Sequence, residues 1–440
     1  MSSVAIKMEE LSAVKKKLSF GIPWSEVKEE LDSVYRDIGK KAKLKGFRPG
    51  KIPRKVIELY FKEQAESDTI TNIINKYYWQ ELEDKGITAI SKPEITQEEL
   101  KENVDFSFTA SFETEPQFEP KGYKGIEVEK ETILITDKDL EHRLTEIRQM
   151  YATMEEVKEE RPVINGDFVT IDFAGSLNGE SPNELKAENY FLELGSQRFI
   201  PGFEEQIVGM KSGEKKSINV TFPEDYQEKK FAGKEVSFAI EIKNIKEKKL
   251  PEVDESFIKN FDRYNSLEDL KKDVLKSLEE EGKKLAESNL QENIMQILLK
   301  ENDIEVPPTL VERQIYYMMA DTHKRMTSAG MDEKNAAELS FKMHDKFKEE
   351  ATKIVKSFLI LKTIAQKESF TVEESEIDKH IADLAEKHGR DYQLLKSAYE
   401  KEDRRDGLKA ELVQKKVFDF IEQHANIKPV EKTGMNPEVK

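Results

Sequence analysis

The spacing of hydrophobic residues changes twice along this chain of 440 residues. Between residues 155 and 249 apolar and polar side chains alternate, as at Val169, Ile171 and Phe173, and eight of the chain's 20 glycines fall there. A period of two predicts half-buried strands, and the glycines predict tight turns between them. Helical spacing is prominent before and after this region. The chain is therefore predicted to be a multidomain α+β protein with a β-rich middle domain.

Residues 1–115 carry both kinds of spacing. Residues 13–22 predict a strand, and Pro23 then opens a helix with one apolar stripe. Residues 54–84 predict a second helix. From residue 104 to residue 112 apolar and polar side chains alternate strictly, which predicts a half-buried strand. This region is predicted to be an α+β domain.

Residues 116–154 are predicted to be a linker between two domains. Pro116 and Pro120 end the preceding strand, because proline cannot donate a backbone hydrogen bond. A helix is predicted from residue 137 to residue 154, with Thr136 as its N-cap.

Residues 250–428 are predicted to be helical throughout. Thr371 and Glu374 predict a capping box at the start of one helix. Residues 429–440 are predicted to be a disordered tail. A helix-packing seam is predicted from apolar residues that recur at spacings of four and three, namely Phe347, Ala351, Ile354, Phe358, Leu361 and Ala365.

Composition excludes several classes of protein and site. The chain has no cysteine, which excludes disulfides and thiolate metal sites. No apolar run is long enough to span a membrane, and the N-terminal residues contain no uninterrupted apolar core of a signal peptide. The six histidines are scattered and none forms a His-Glu-x-x-His motif, so we expect neither metal nor cofactor. The net charge of −17 argues against general binding to nucleic acid.

One segment is strongly basic, in contrast to the acidic chain as a whole. Residues 40–55 contain eight lysines and arginines and no acid. Gly46 and Gly50 permit a tight turn with Phe47 at its tip. An acidic protein that concentrates positive charge in one loop usually presents it to a polyanion, although a solvated basic loop is the alternative. A phosphate-binding loop does not fit, because only three residues separate the two glycines and Ile52 follows the lysine.

This loop resembles the ribosome-binding signature of the trigger factor family, Gly-Phe-Arg-x-Gly-Lys-x-Pro. The variable position after the arginine is proline here, where some members carry lysine. The resemblance implies a ribosome-binding role for a set of six neighbouring residues, namely Gly46, Phe47, Arg48, Pro49, Gly50 and Lys51.

A series of segments follows in a fixed order along the chain, namely Val169 to Gly175, Leu194-Gly195, Phe199 to Phe203, Gly209 to Glu214, Phe222 to Tyr226, and Gly233 with Phe238. In this order and spacing, residues 169–245 resemble an FKBP-type peptidyl-prolyl isomerase domain. One departure is Pro182-Asn183, where the family usually has phenylalanine followed by an acid. The alternative for these aromatic residues is an ordinary sheet core. The resemblance implies a catalytic pocket, with Tyr190 nearby, whose wall is Phe173, Phe199, Ile200, Phe203, Tyr226 and Phe238.

The helical region resembles the family's chaperone body, with protruding arms, and the linker is then expected to pack with it. Methionine suits a promiscuous binding surface because it is flexible and polarizable, although core filling or a dimer contact would also explain a cluster. The residues expected to contact client proteins are Met318, Met319, Met326, Met331 and Met343.

The resemblance as a whole implies an ATP-independent chaperone with prolyl isomerase activity, which Pro182-Asn183 could weaken. Its implied partners are the ribosome, through large-subunit protein and ribosomal RNA at the tunnel exit, and nascent or unfolded polypeptides. We expect a cytoplasmic protein that uses no cofactor and binds neither membrane nor DNA. Whether it forms a homodimer away from the ribosome is an open question. The rivals are a free-standing isomerase whose other domains only localise it, and a structural RNA-binding adaptor.

Overall fold

The structure is a computed structural model that describes residues 4–45, 47, 50–158, 161–177, 179–224, 226, 228–400 and 402–435. The strands are β1 (Ala5–Glu10), β2 (Lys15–Ile22), β3 (Glu94–Gln97), β4 (Phe106–Glu113), β5 (Glu127–Leu134), β6 (Thr153–Glu156), β7 (Phe168–Ser176), β8 (Lys186–Glu193), β9 (Lys215–Thr221), β10 (Glu235–Lys249) and β11 (Asn426–Thr433). The helices are α1 (Trp24–Lys41), α2 (Arg54–Asp84), α3 (Asp137–Met150), α4 (Phe203–Ile207), α5 (Glu255–Ile258), α6 (Leu267–Glu301), α7 (Pro308–Ser328), α8 (Glu333–Lys342), α9 (His344–Lys367), α10 (Glu374–Lys387), α11 (Tyr392–Tyr399) and α12 (Glu402–His424).

The chain divides into two compact units, each assembled from separate stretches of sequence. The first contains Met1–Lys130 and Ser288–Pro429, and the second contains Glu131–Glu287 and Val430–Lys440. The strand-rich middle and the helical C-terminal region confirm the predicted multidomain α+β fold class.

In the first unit, residues up to the end of β4 form a four-stranded antiparallel sheet in the order β1-β2-β4-β3. The predicted alternation is confirmed from Phe106 onwards, since the apolar residues of β4 are buried and Phe108 stacks on Phe20 of β2 with ring centroids 4.4 Å apart. The prediction began the strand two residues too early, because Val104 precedes β4 and is 52% exposed. Ile73 and Tyr78 of α2 complete this core. Strand β1 was not predicted, because its short, mostly exposed sequence carries little apolar signal.

The end of β4 is anchored on the helical part of the same unit. A carboxylate oxygen of Glu113 accepts a hydrogen bond from the N–H of Thr309, 2.9 Å away, in the first turn of α7. Two residues further on, Glu115 receives the ammonium group of Lys362 at 2.6 and 2.7 Å. These bonds tie the end of β4 and the residues just after it to α7 and α9.

The helical part of the first unit packs around α6, α9 and α12. Tyr123 and Val128, which lie in the predicted linker, are buried against Leu298, Ile364 and Val417 from these three helices. The seam predicted along α9 is partly wrong, since its members Ile354 and Phe358 are 38% and 41% exposed.

Two further predictions of local structure were wrong in detail. The capping box predicted at Thr371 and Glu374 instead uses Glu373 and Glu376, two residues later. The predicted tail continues as β11 to Thr433 because it pairs with β5, and the Met435 side chain packs in an apolar cluster. Residues 436–440 lie outside the described residues.

The second unit contains a five-stranded sheet and a smaller helical cluster. In the sheet, β10 pairs with β6, β7 and β9, and β8 forms the edge beyond β7. The N-cap of α3 is Thr136, whose predicted role is confirmed by reciprocal bonds with Asp139. The helix ends at Met150 rather than Met154, because the chain then enters β6.

Candidate functional site

The basic loop connects α1 to α2 and rests on a small apolar cluster. Ile52 from the loop is buried against Ile38 of α1 and Ile57 of α2, so the base of the loop is fixed. Gly39 allows the two helices to approach, since a Cβ atom there would lie only 2.8 Å from Cδ1 of Ile57. Gly50 has a φ of +74°, a conformation that favours glycine, which explains the turn predicted at this position.

The six residues predicted to bind the ribosome are only partly described. Phe47 is 38% exposed. Gly50 and Lys51 are exposed as well. Gly46, Arg48 and Pro49 lie outside the described residues.

The positive charges of this segment divide into two groups. Arg54 is structural, since it pairs with Asp32 at 2.7 Å and Glu58 at 2.6 Å and lies over the ring of Tyr35. Lys40 pairs with Asp37 at 2.8 Å. The remaining described lysines are all exposed and form no ion pair with any described residue, namely Lys41, Lys43, Lys45, Lys51 and Lys55.

The predicted isomerase pocket is an aromatic cluster on one face of the second unit's sheet. Phe173 of β7 lies at its centre, with edge-to-face contacts at centroid distances of 5.5 Å to Phe199 and 5.9 Å to Phe203 and Phe238. Phe203, at the start of α4, packs edge-to-face against Phe238 at 5.3 Å. Such arrangements are the favoured ones for aromatic pairs. The structure therefore brings these four predicted residues together.

Burial divides the pocket into a floor and a rim. Phe203 and Phe238 are buried, Phe199 and Ile200 are half-buried, and Tyr226 is 38% exposed. The Tyr226 ring contacts this group indirectly, through Phe222, whose centroid lies 4.7 Å away. Tyr190 is 40% exposed and lies 5.6 Å from Phe173.

The two rim tyrosines keep their polar ends available. Neither the Tyr190 nor the Tyr226 hydroxyl has a hydrogen-bond partner among the residues that the structure describes. A phenolic hydroxyl can donate to a carbonyl oxygen. The pocket thus combines an apolar floor with hydrogen-bonding capacity at the rim.

The segment that departs from the FKBP pattern has its own local structure. Residues 183–185 form a short 3-10 helix that follows Pro182, and Leu185 is buried. Gly175 makes room for this packing, because a Cβ atom there would lie 2.8 Å from both Leu185 and the Phe238 ring. An aliphatic side chain therefore lies against the pocket floor on this side.

Glu204 is a functional candidate that the sequence did not single out. It follows Phe203 in α4 and is only 5% exposed, although it carries a carboxylate. Its carboxylate oxygens accept hydrogen bonds from backbone N–H groups of the loop that carries Phe199. In the sequence it cannot be distinguished from its neighbour Glu205, which is exposed.

A second buried carboxylate, Asp167, lies directly before strand β7. Asp167 is paired with Arg161 through two hydrogen bonds of 2.6 and 2.8 Å, and it accepts another from the N–H of Ile164. Burial alone would raise the pKa of Asp167, but these bonds outweigh it and hold the pKa below its usual value.

We therefore expect the Arg161–Asp167 pair to make the stability of this domain depend on pH in the acidic range. Because the folded-state pKa of Asp167 is depressed, its contribution is present above the unfolded value of about 3.9 and is lost as pH falls through the folded-state value. Arg161→Met should destabilise the domain by about 3 kcal/mol near neutral pH, since it leaves a buried charge unpaired. The thermal midpoints of wild type and Arg161→Met should begin to converge as pH falls below about 4. A difference that stays constant down to pH ~3 would contradict this role.

The helical part of the first unit has an open apolar groove of about 870 Å³ between α6, α7 and α9. Its lining includes Met295, Leu299, Tyr317, Ile354 and Phe358. Tyr317 is 64% exposed, and Ile354 and Phe358 are those members of the predicted seam that face outwards. This groove is a concave apolar surface with polar residues around it.

The five predicted client-binding methionines lie elsewhere on the arm formed by α7 and α8. Met318 and Met319 pack against a buried cluster around Ile315. Met331 is 39% exposed, and Met326 and Met343 are half-buried. None of the five lines the groove. Large exposed side chains that sequence reasoning missed are Tyr316, Tyr317, Leu339 and Phe341.

His344 is the histidine with the most distinctive surroundings. Its ring nitrogens lie 3.0 Å from Asp345 and 3.1 Å from Glu312 of α7, and these two acids raise the pKa of the imidazole. Within the described parts of the chain, no group of three or more acids and histidines is arranged to hold a metal ion. Of the helices described, none is long and apolar enough to cross a membrane.

Comparisons with known proteins match three parts of the chain to known families. A family model for bacterial trigger factor protein matches residues 4–147, and one for the trigger factor C-terminus matches residues 266–423. A family model for FKBP-type peptidyl-prolyl cis-trans isomerase matches residues 159–243. An FKBP-type domain placed between two trigger factor regions is the architecture of a multidomain chaperone.

Whole-chain similarity is also high. The trigger factor of Syntrophus aciditrophicus (strain SB) is 47% identical over 438 residues, which cover 99% of both chains. That of Geobacter metallireducens is 37% identical and covers 97% of this chain and 98% of the relative. A solved trigger factor chaperone chain is 22% identical, covers 95% of this chain and 99% of its own, and has a TM-score of 0.47. The chain belongs to the trigger factor family.

Proposed function

We propose that this protein is an ATP-independent chaperone that docks at the ribosomal tunnel exit and shields nascent chains there. The observation that carries docking is the basic segment 40–55, which presents an exposed ring and five exposed lysines that form no ion pair with the described residues, in a protein of net charge −17. Lysines suit RNA phosphates, and the Phe47 ring suits an apolar site on a large-subunit protein. The ribosome-binding residues proposed are those predicted from the sequence, Gly46 to Lys51.

The proposed division of labour follows the predicted domains. Residues 1–115 dock on the ribosome, residues 155–249 isomerise prolyl bonds, and residues 250–428, packed with the linker 116–154, hold clients. The proposed partners are the ribosome and nascent or unfolded polypeptides, the proposed location is the cytoplasm, and dimerisation away from the ribosome is an open part of the proposal.

The proposed client surface is the groove together with the exposed side chains of the arm. Tyr317 and Phe358 offer broad apolar contacts, and the predicted methionines offer adaptable ones. Contiguous exposed apolar side chains usually mark an interaction site. Reversible apolar burial needs no nucleotide, and the chain has no phosphate-binding loop motif.

We expect suppression of client aggregation to be the same with and without ATP. The double change Tyr317→Ser with Phe358→Ser should reduce suppression for a proline-free client several-fold, because it removes two apolar contacts from the groove. Both residues are substantially exposed, so the fold should be retained. Light scattering of an aggregating client measures this.

The matched control is Tyr60→Ser, which removes an equally exposed ring from α2. It should leave suppression unchanged. Release of a bound client on addition of ATP would refute the ATP-independent model, and undiminished suppression by the double variant would remove the groove from it.

The proposed chemistry in the middle domain is rotation about X-Pro bonds. The uncatalysed barrier is about 18–20 kcal/mol, because the planar bond has partial double-bond character. A dry aromatic pocket disfavours the charge-separated planar form relative to the less polar twisted form, which stabilises the transition state selectively. Phe203 and Phe238 exclude water from below, and the Tyr226 hydroxyl at the rim can hold a substrate carbonyl. Pro182-Asn183 is proposed to weaken turnover, since a ring and an acid are missing there.

A further inference from the structure

The carboxylate of Glu204 organises the loop beside the aromatic pocket. One oxygen accepts hydrogen bonds from the N–H groups of Gly195 at 2.8 Å and Gln197 at 3.1 Å. The other accepts one from the N–H of Phe199 at 3.2 Å and lies 3.4 Å from the hydroxyl of Ser196. Hydrogen bonds from several donors are what allow a carboxylate to be buried.

The loop needs such support because its backbone is unusual. Gly195 has a φ of +85° and Gln197 has a φ of +56°, and the second value lies in the left-handed region that residues other than glycine seldom occupy. Both of their N–H groups point to Glu204. The carboxylate therefore compensates for a strained turn.

The consequence of this turn is the position of one pocket ring. Phe199 belongs to neither a strand nor a helix, yet its ring centroid lies 4.1 Å from that of Phe203 and 5.7 Å from that of Tyr190. Within this loop, the bond from the Phe199 N–H to Glu204 fixes the backbone from which the ring projects.

We propose that Glu204 is a positioning residue of the isomerase site, which holds residues 195–199 so that Phe199 closes the pocket over Phe203. The inference rests on the proposed prolyl isomerase function. Glu204 does not touch the substrate, and it acts through the backbone of the loop.

Glu204→Gln tests this with the full-length protein. Glutamine keeps one acceptor oxygen but turns an NH2 group towards backbone donors, so the loop should loosen. We expect kcat/KM on an X-Pro peptide to fall by about tenfold to a hundredfold, as small misplacements of a site typically do. Backbone amides of residues 195, 197 and 199 should exchange hydrogen faster, whereas those of Ile171 and Ile240 in the sheet should not change. The exposed neighbour variant Glu205→Gln should match wild type in both measurements.

A double-variant cycle separates positioning from general stability. In a Phe199→Ala background, Glu204→Gln should cause little further loss of kcat/KM, because the ring through which it acts is gone. Additive losses, or faster exchange throughout the sheet, would overturn the proposal. If Glu204→Gln unfolds the domain, Glu204→Asp keeps the charge but shortens the reach, and the same non-additivity is expected.

The exchange measurement does not depend on catalysis. A wild type without isomerase activity would overturn the proposed function, and with it the catalytic consequence of the loop. If the amides of residues 195, 197 and 199 exchange at wild-type rates in Glu204→Gln, the carboxylate does not fix this loop and the proposal is wrong.

Discussion

Replacement of Phe47, Arg48 and Pro49 by alanine should abolish cosedimentation with ribosomes while the protein stays folded. Phe47 and Gly50 near the tip of this loop are exposed, and its fixed base depends on Ile52 rather than on the tip. Loss of the tip ring removes an apolar contact, and loss of the arginine removes a charged one. We expect binding to fall below detection at micromolar protein.

The control removes cations elsewhere. Lys283→Ala with Lys284→Ala deletes two exposed charges from α6 and should leave ribosome binding unchanged. Circular dichroism and the thermal midpoint of the loop variant should match those of wild type. Ribosome binding that survives the loop change would show that docking uses another surface.

Phe203→Ala and Phe238→Ala should each lower isomerase activity on an X-Pro peptide by at least about tenfold, equivalent to a loss of ~1.4 kcal/mol of transition-state stabilisation. Both rings form the buried floor, so their removal admits water next to the imide. Suppression of aggregation for a proline-free client should be largely spared, because the client groove is formed by α6, α7 and α9.

Folding must be measured alongside activity in these variants. A buried Phe→Ala change typically costs about 3–5 kcal/mol, which is enough to unfold a small domain and imitate a catalytic defect. Phe191→Ala is a useful comparison, since this ring is 51% exposed and stacks on Phe168 rather than in the pocket. A folded Phe203→Ala variant with undiminished activity would show that the pocket is assigned wrongly.

Weak isomerase activity in the wild type would direct attention to the departure from the FKBP pattern. Pro182→Phe with Asn183→Asp restores the residues that the family usually has there. We expect this pair of changes to raise kcat/KM, because it adds a ring and an acid beside the pocket. An unchanged rate would mean that the short helix ending at Leu185 is not what limits turnover.

Sequence patterns predicted the structure most accurately where it depends on neighbouring residues. The alternation in β4, the turn at Gly50 and the cap at Thr136 depend on neighbouring residues, and the structure has all three. The grouping of aromatic residues was also predictable, since the order of their segments resembles a known domain and the structure brings Phe173, Phe199, Phe203 and Phe238 together.

Predictions from the sequence failed where the local structure depends on residues that are distant in the sequence. Arg54 reads as one more cation of the loop, but Asp32, 22 residues away, pairs with it. In α9 the buried residues include Val355 and Leu359, one position beyond the predicted Ile354 and Phe358, because a helical spacing of four and three fits adjacent faces almost equally well. The burial of Glu204 has no sequence signal, since its partners are backbone groups.

The same limit applies to the C-terminal residues. Their polar sequence predicts disorder, but pairing with β5 supplies a backbone template that no composition reveals. Residues 426–433 therefore become a strand through tertiary contact rather than through their own propensity.

The central claim is most directly tested by the affinity of the wild-type protein for intact ribosomes compared with naked ribosomal RNA, without nucleotide, at salt concentrations between about 50 and 200 mM. We predict clear binding to ribosomes, much weaker binding to naked RNA, and a ribosome affinity that falls steeply as salt rises, because lysine contacts with phosphates release counterions. Equal affinity for naked RNA, or no binding to ribosomes at the lowest salt, would contradict the account.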